Sequence, residues 1–171
     1  MAESEEELEN GVIKIPEGFT AGGVMAFNNC PNIHTIICPS SMKSIHSLSG
    51  GDESWNNIRN FTIGSECEEL VGSVCTANGY SGKNTKVYCY ATTPPEMKLG
   101  GIGLGGNSEL QYPFMSTKVS EVHVPEGCMD AYLDDSKIVA KAYKPYTYNG
   151  ELEENVEIGW SRFAGNIIDD L

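Results

Sequence analysis

The chain has 171 residues, 40% of them hydrophobic, with 19 glycines and 8 prolines, which suits one loop-rich domain with a buried core and excludes a disordered chain or a helical bundle. With 24 acidic against 11 basic residues the net charge is -13, so nucleic acid and anionic membrane surfaces are repelled over most of the surface. No apolar run approaches the length of about 20 residues that spans a bilayer, so neither a nucleic-acid partner nor membrane insertion by this chain is expected.

Residues 1–11 form an acidic lead-in in which Glu3, Glu5, Glu6, Glu7 and Glu9 surround a single apolar Leu8. Such a run reads as a solvated arm or as the tail of a preceding unit. A signal peptide would be basic and then apolar, so this end assigns no compartment, and an export segment removed before Met1 stays open. The first strand is predicted over residues 12–15, where Ile13-Lys14-Ile15 alternates and Pro16 removes the next backbone donor.

That strand recurs. Ile13-Lys14-Ile15-Pro16 aligns with Ile36-Ile37-Cys38-Pro39, Phe61-Thr62-Ile63-Gly64, Val87-Tyr88-Cys89-Tyr90 and Val122-His123-Val124-Pro125. From Ile15 to Cys38, Ile63, Cys89 and Val124 the steps are 23, 25, 26 and 35 residues. The first three fall in the roughly 20–29-residue range of leucine-rich repeats, and the fourth holds an insertion. The fullest unit is Ala26 to Pro39, with Phe27, Cys30, Ile33, Ile36 and Cys38 expected in the core. Strands this short make no core alone. Stacked in parallel, they would bury one inward ladder of Ile15, Cys38, Ile63, Cys89 and Val124.

Ala26-Phe27-x-x-Cys30-x-x-Ile33-x-x-Ile36-x-Cys38-Pro39, followed by Ser40-Ser41-Met42-x-Ser44-Ile45, resembles the BspA-like class of leucine-rich repeats. The tyrosine-rich Val87-Tyr88-Cys89-Tyr90-Ala91-Thr92-Thr93-Pro94-Pro95 is similar to the segment that follows that family's last repeats. Val122-His123-Val124-Pro125-Glu126-Gly127 with Ala131-Tyr132, and Trp160-x-x-Phe163-x-x-x-Ile167, resemble its closing segment. The resemblance implies an α/β fold: a leucine-rich-repeat solenoid with short parallel β-strands, irregular convex loops and a C-terminal cap, in one domain over 1–171 with repeats at 12–126 and the cap at 127–171. It further implies a bacterial cell-surface or secreted protein that binds a host, matrix or bacterial-surface protein without a cofactor. A structural spacer or capping module of a larger surface protein is the alternative.

Two departures stand out. After Leu48 the polar run Ser49-Gly50-Gly51-Asp52-Glu53-Ser54 precedes Trp55 and Ile58, where an irregular convex side is expected. Between Tyr132 and Trp160 lies an insertion in which Asn149-Gly150 sits among β-prone Tyr146, Thr147, Tyr148 and Leu152, a hairpin signal. Met129, Tyr132 and Leu133 suggest one or two helical turns, as do Trp160, Phe163 and Ile167, whose aromatics would close the last repeat.

Chemical motifs fare poorly. Gly101-Ile102-Gly103-Leu104-Gly105-Gly106 matches G-x-G-x-x-G, yet Pro94-Pro95 stands before it and no helical stretch follows, so it reads as a loop. The six cysteines contain no C-x-x-C and are expected as buried free thiols, without zinc. A Cys38 nucleophile with His34 or His46 as base would need residues on a strand and in a loop to face each other, in an acidic chain that favours no thiolate. Asp134-Asp135 and Asp169-Asp170 read as solvated surface, and the Asn60-Phe61-Thr62 sequon as unmodified. No enzymatic activity is therefore expected. What remains is the outward, concave row of the strands, Lys14, Ile37, Thr62, Tyr88 and His123, with Tyr90 near its edge. Tyrosine buries contact area at small entropic cost, so this row is the candidate binding surface.

Overall fold

A computed structural model describes residues 10–23, 32–46, 58–72, 74, 84–100, 111–115, 117–134, 138–143 and 152–171. In chain order the strands are β1 (Val12–Lys14), β2 (Ala21–Gly22), β3 (Thr35–Ile37), β4 (Ser44–His46), β5 (Asn60–Ile63), β6 (Glu69–Val71), β7 (Thr85–Cys89) and β8 (Glu96–Lys98). They continue with β9 (Val119–Val124), β10 (Ile138–Tyr143), β11 (Leu152–Ile158) and β12 (Ile167–Asp169). The fold is mixed α/β with mostly parallel strands and few helices, and no sheet of the described residues closes into a barrel.

The larger sheet has six parallel strands in the order β1-β3-β5-β7-β9-β12. Alternation along each strand sends every second side chain to the same face. Register then aligns Ile13, Ile36, Phe61, Val87, Val122 and Ile167 in one row, all buried. Two residues further on, the expected inward ladder of Ile15, Cys38, Ile63, Cys89 and Val124 is buried as well. Both rows join one apolar core.

A second parallel sheet, β2-β4-β6-β8, stands where the sequence pattern offers only irregular loops. Its strands are two or three residues long and bury one residue each, Gly22, Ile45, Leu70 and Met97, which sit opposite one another in register. A single buried residue makes no readable period, which is why these strands escape a sequence pattern. Tight turns carry the chain from one sheet to the other: Met42 N–H donates to Pro39 O and Cys67 N–H to Gly64 O, each at 3.2 Å. Successive turns stack closely. A Cβ on Gly64 would fall on the Pro39 carbonyl, so only glycine fits there. Backbone carbonyls reach across in the same way, Gly11 O accepting from His34 N–H at 2.8 Å and His34 O from Arg59 N–H at 2.8 Å.

The C-terminal part covers the core with aromatic rings. Helix α1 (Met129–Leu133) is a single turn that buries Tyr132 and leaves Leu133 exposed, since five residues turn only one side inward. A 3-10 helix (Trp160–Asn166) buries Trp160 and Phe163. Trp160 lies 5.2 Å from the Tyr132 ring and 6.2 Å from Phe114, and its indole N–H donates to Pro95 O at 2.8 Å. Phe114 holds a left-handed backbone (φ 57°) while fully buried, a conformation that costs about 1–2 kcal/mol and that the buried ring offsets. Ile167, expected at the end of a helical turn, instead opens β12, because parallel pairing with β9 satisfies the backbone that would otherwise form the sheet edge. β10 and β11 pair antiparallel within the expected insertion. Their strands reach further from the Asn149-Gly150 pair than the β-prone residues beside it suggest, and that pair lies outside the described residues. Phe27, Cys30, residues 49–55, Cys75, the Gly101 to Gly106 segment and the acidic run of residues 1–9 also lie outside them.

Candidate functional site

Parallel register assembles the outward row. Lys14 sits opposite Ile37, Ile37 opposite Thr62, Thr62 opposite Tyr88 and Tyr88 opposite His123. All five sequence candidates thus share one line across five strands, about 19 Å long at the usual strand spacing. Ile168 of β12 extends the line beside His123. Lys14 is exposed, and the other members are half-buried.

At one end the row is closed. The His123 ring stacks on Tyr88 with centroids 4.6 Å apart and planes 11° from parallel. Its Nδ1 lies 2.8 Å from Asp170 Oδ1 and its Nε2 3.0 Å from Glu121 Oε2, leaving the side chain 12% exposed. Glu121 precedes His123 by two residues on the same face, and the sheet register places Lys86 opposite it, with Nζ 2.8 Å from Oε2. Hydrogen bonds from Lys86 and then His123 hold the Glu121 carboxyl below its ordinary value, and the same contact holds the Lys86 amine above its own. Asp170, which the sequence pattern assigns to solvated surface, is exposed and is also a partner of His123. The nearness of Asp170 depends on β12 joining the sheet, which no local pattern announces.

At the other end the row opens into a groove of about 380 Å³. Lys14, Ile37 and Thr62 line it together with Glu17, Ser65 and Tyr90. Tyr90 is 46% exposed. Among the described residues, Lys43, Lys86, Lys98 and Lys141 each have a carboxylate partner, while Lys14 and Lys118 have none. The nearby Glu17 carboxylate is turned to the backbone: Ser40 N–H donates to Oε1 at 2.9 Å and Ser41 N–H to Oε2 at 3.2 Å. Those bonds, the Ser40 one foremost, hold the Glu17 carboxyl below its ordinary value. Glu17 and Ser65 escape a reading that follows strands alone, since both belong to the turns that leave the sheet.

Among the remaining reactive groups, Cys38 lies against the groove wall but is buried. Cys38, Cys67 and Cys89 are buried cysteines outside any disulfide, and Cys128 is a half-buried one. Burial pushes the Cys67 thiol up to about 12 and the Cys89 thiol up to about 11. Tyr132 Oη donates to Ala91 O at 2.6 Å and reaches Cys89 Sγ at 3.1 Å, and burial pushes that hydroxyl up too. His34 Nδ1 lies 2.9 Å from Thr35 Oγ1 on the exposed side, while Cys38 is buried. Asn60 of the sequon donates from Nδ2 to Thr35 Oγ1 at 3.2 Å. Among the described residues no cluster of three His, Cys, Asp or Glu side chains is placed to hold a metal ion, and no helix is long and apolar enough to cross a membrane. Comparison with protein-family models, with curated proteins and with solved structures found no match.

Proposed function

We propose that the chain is a leucine-rich-repeat solenoid of the BspA-like kind that acts at the cell surface or after secretion, binding a host, matrix or bacterial-surface protein through the concave face of its six-stranded sheet. The observation that carries this reading is the single row of Lys14, Ile37, Thr62, Tyr88 and His123, brought into line from residues 14 to 123 by register alone. Two parallel sheets whose strands follow chain order support the solenoid, since each strand then needs only its neighbours to bury its inner side. Recognition would rest on a face ordered before contact, which lowers the entropic cost of binding. No cofactor and no covalent step enter the mechanism.

Binding to a panel of matrix proteins and host-cell surfaces tests the reading. Ile37→Glu and Tyr88→Ala should each weaken a detected interaction at least about tenfold, or roughly 1.4 kcal/mol. Val139→Glu on the exposed face of β10 should leave it unchanged. Equal binding by all variants would overturn the assignment of the face, and no binding across the panel would favour the spacer or capping role.

A further inference from the structure

The groove at the Lys14 end differs in kind from the rest of the row. Its volume of about 380 Å³ lies in the range of small-ligand sites, which run from roughly 300 to 1,000 Å³. It combines an exposed aromatic ring, an aliphatic side chain and hydroxyl groups, in Tyr90, Ile37, Thr62 and Ser65, with one cation and one anion, Lys14 and Glu17. The two formal charges cancel, so the groove does not share the strong negative charge of the whole chain. A ligand matched to such a lining is neutral, carries many hydroxyls and has one apolar face.

Those are the properties of a pyranose ring. We propose that this groove seats a neutral sugar of a glycan, with the C–H face of one pyranose against Tyr90 and its hydroxyls toward Lys14, Thr62 and Ser65. The inference rests on the outer face being a binding surface and names the ligand class of its open end. The Tyr90 ring supplies a flat surface whose burial costs little side-chain entropy. The Lys14 amine, which no carboxylate of the described residues engages, can donate to ring hydroxyls. Glu17 is held by two backbone amides, so its carboxylate keeps a fixed position as an acceptor. A peptide offers hydroxyls and a flat apolar face together only at particular side chains, and the attraction of an acidic ligand to Lys14 is offset by Glu17 beside it.

Saturation-transfer NMR and calorimetry with maltose, cellobiose and lactose, each raised to about 10 mM, provide the test, since weak sites of this size are read in the millimolar range. At least one disaccharide should receive saturation at its ring C–H protons. Tyr90→Ala should weaken its binding about tenfold or more, Tyr90→Phe should stay within about threefold, and Lys14→Met should weaken it about threefold. Tyr90 and Lys14 both reach solvent, so an unchanged thermal midpoint is expected for each variant. Absence of saturation transfer from all three sugars overturns the proposal, as does binding that Tyr90→Ala leaves intact. If the sugars fail while Ile37→Glu still abolishes binding of a protein partner, the outer-face reading survives and only the sugar site is lost.

Discussion

The two ends of the outward row share one register and reach opposite states. At His123 both ring nitrogens, the Glu121 carboxylate and the Lys86 amine are engaged with one another and with Asp170. At Lys14 the amine has no carboxylate partner among the described residues, and Glu17, which lines the same groove, is bound to backbone amides. Register decides which side chains share a line. Residues just beyond the strands decide whether that line stays open: Asp170 follows β12 and closes on His123, whereas Glu17 follows β1 and turns away toward the next turn.

Four changes break or sharpen that contrast. The largest effect should come from beneath the closed end, where Trp160→Ala removes a fully buried ring and its bond to Pro95 O; denaturant unfolding should show a loss of about 3–5 kcal/mol. Next is the open end, where Gly64→Ala forces a Cβ onto the Pro39 carbonyl, and the same measurement should show a loss of about 1–3 kcal/mol. Smaller is the thiol pattern in a Cys30→Ser/Cys75→Ser background. There Cys128 should react first with a thiol reagent, and Cys38, Cys67 and Cys89 only on unfolding. Simultaneous reaction of all four in the folded protein would contradict the packing.

The smallest effect is electrostatic. Glu121 is held below its ordinary value of 4.5, so the stability it contributes is present above about pH 4.5 and fades as pH falls through the lowered folded value. Lys86 is held above 10.5, so its contribution is present below that pH and is lost as pH rises through the raised value. Thermal midpoints across this range should show Glu121→Gln less sensitive to acid than the unaltered chain, by a small margin suited to an exposed pair.

The large sheet was legible because its strands alternate and end at Pro16, Pro39 and Pro125, so inner and outer rows follow from counting by two. The second sheet was not, since Ile45, Leu70 and Met97 are each the single buried residue of a three-residue strand. Ile167 sat at the end of an apparent helical spacing, and only tertiary pairing with β9 makes it part of a strand. The closed end was illegible for the same reason, because Asp170 meets His123 from 47 residues away. Tyr90 could be placed near the row from its spacing, but Glu17 and Ser65 join the groove through turns whose stacking no periodicity describes.

Competitive acylation of the lysines, read residue by residue by mass spectrometry, tests most directly whether one end of the row is open and the other closed. Lys14 should be modified faster than Lys86, whose amine is held protonated by Glu121, and Glu121→Gln should raise the Lys86 rate toward that of Lys14. Equal rates for Lys14 and Lys86 in the unaltered chain would contradict the account.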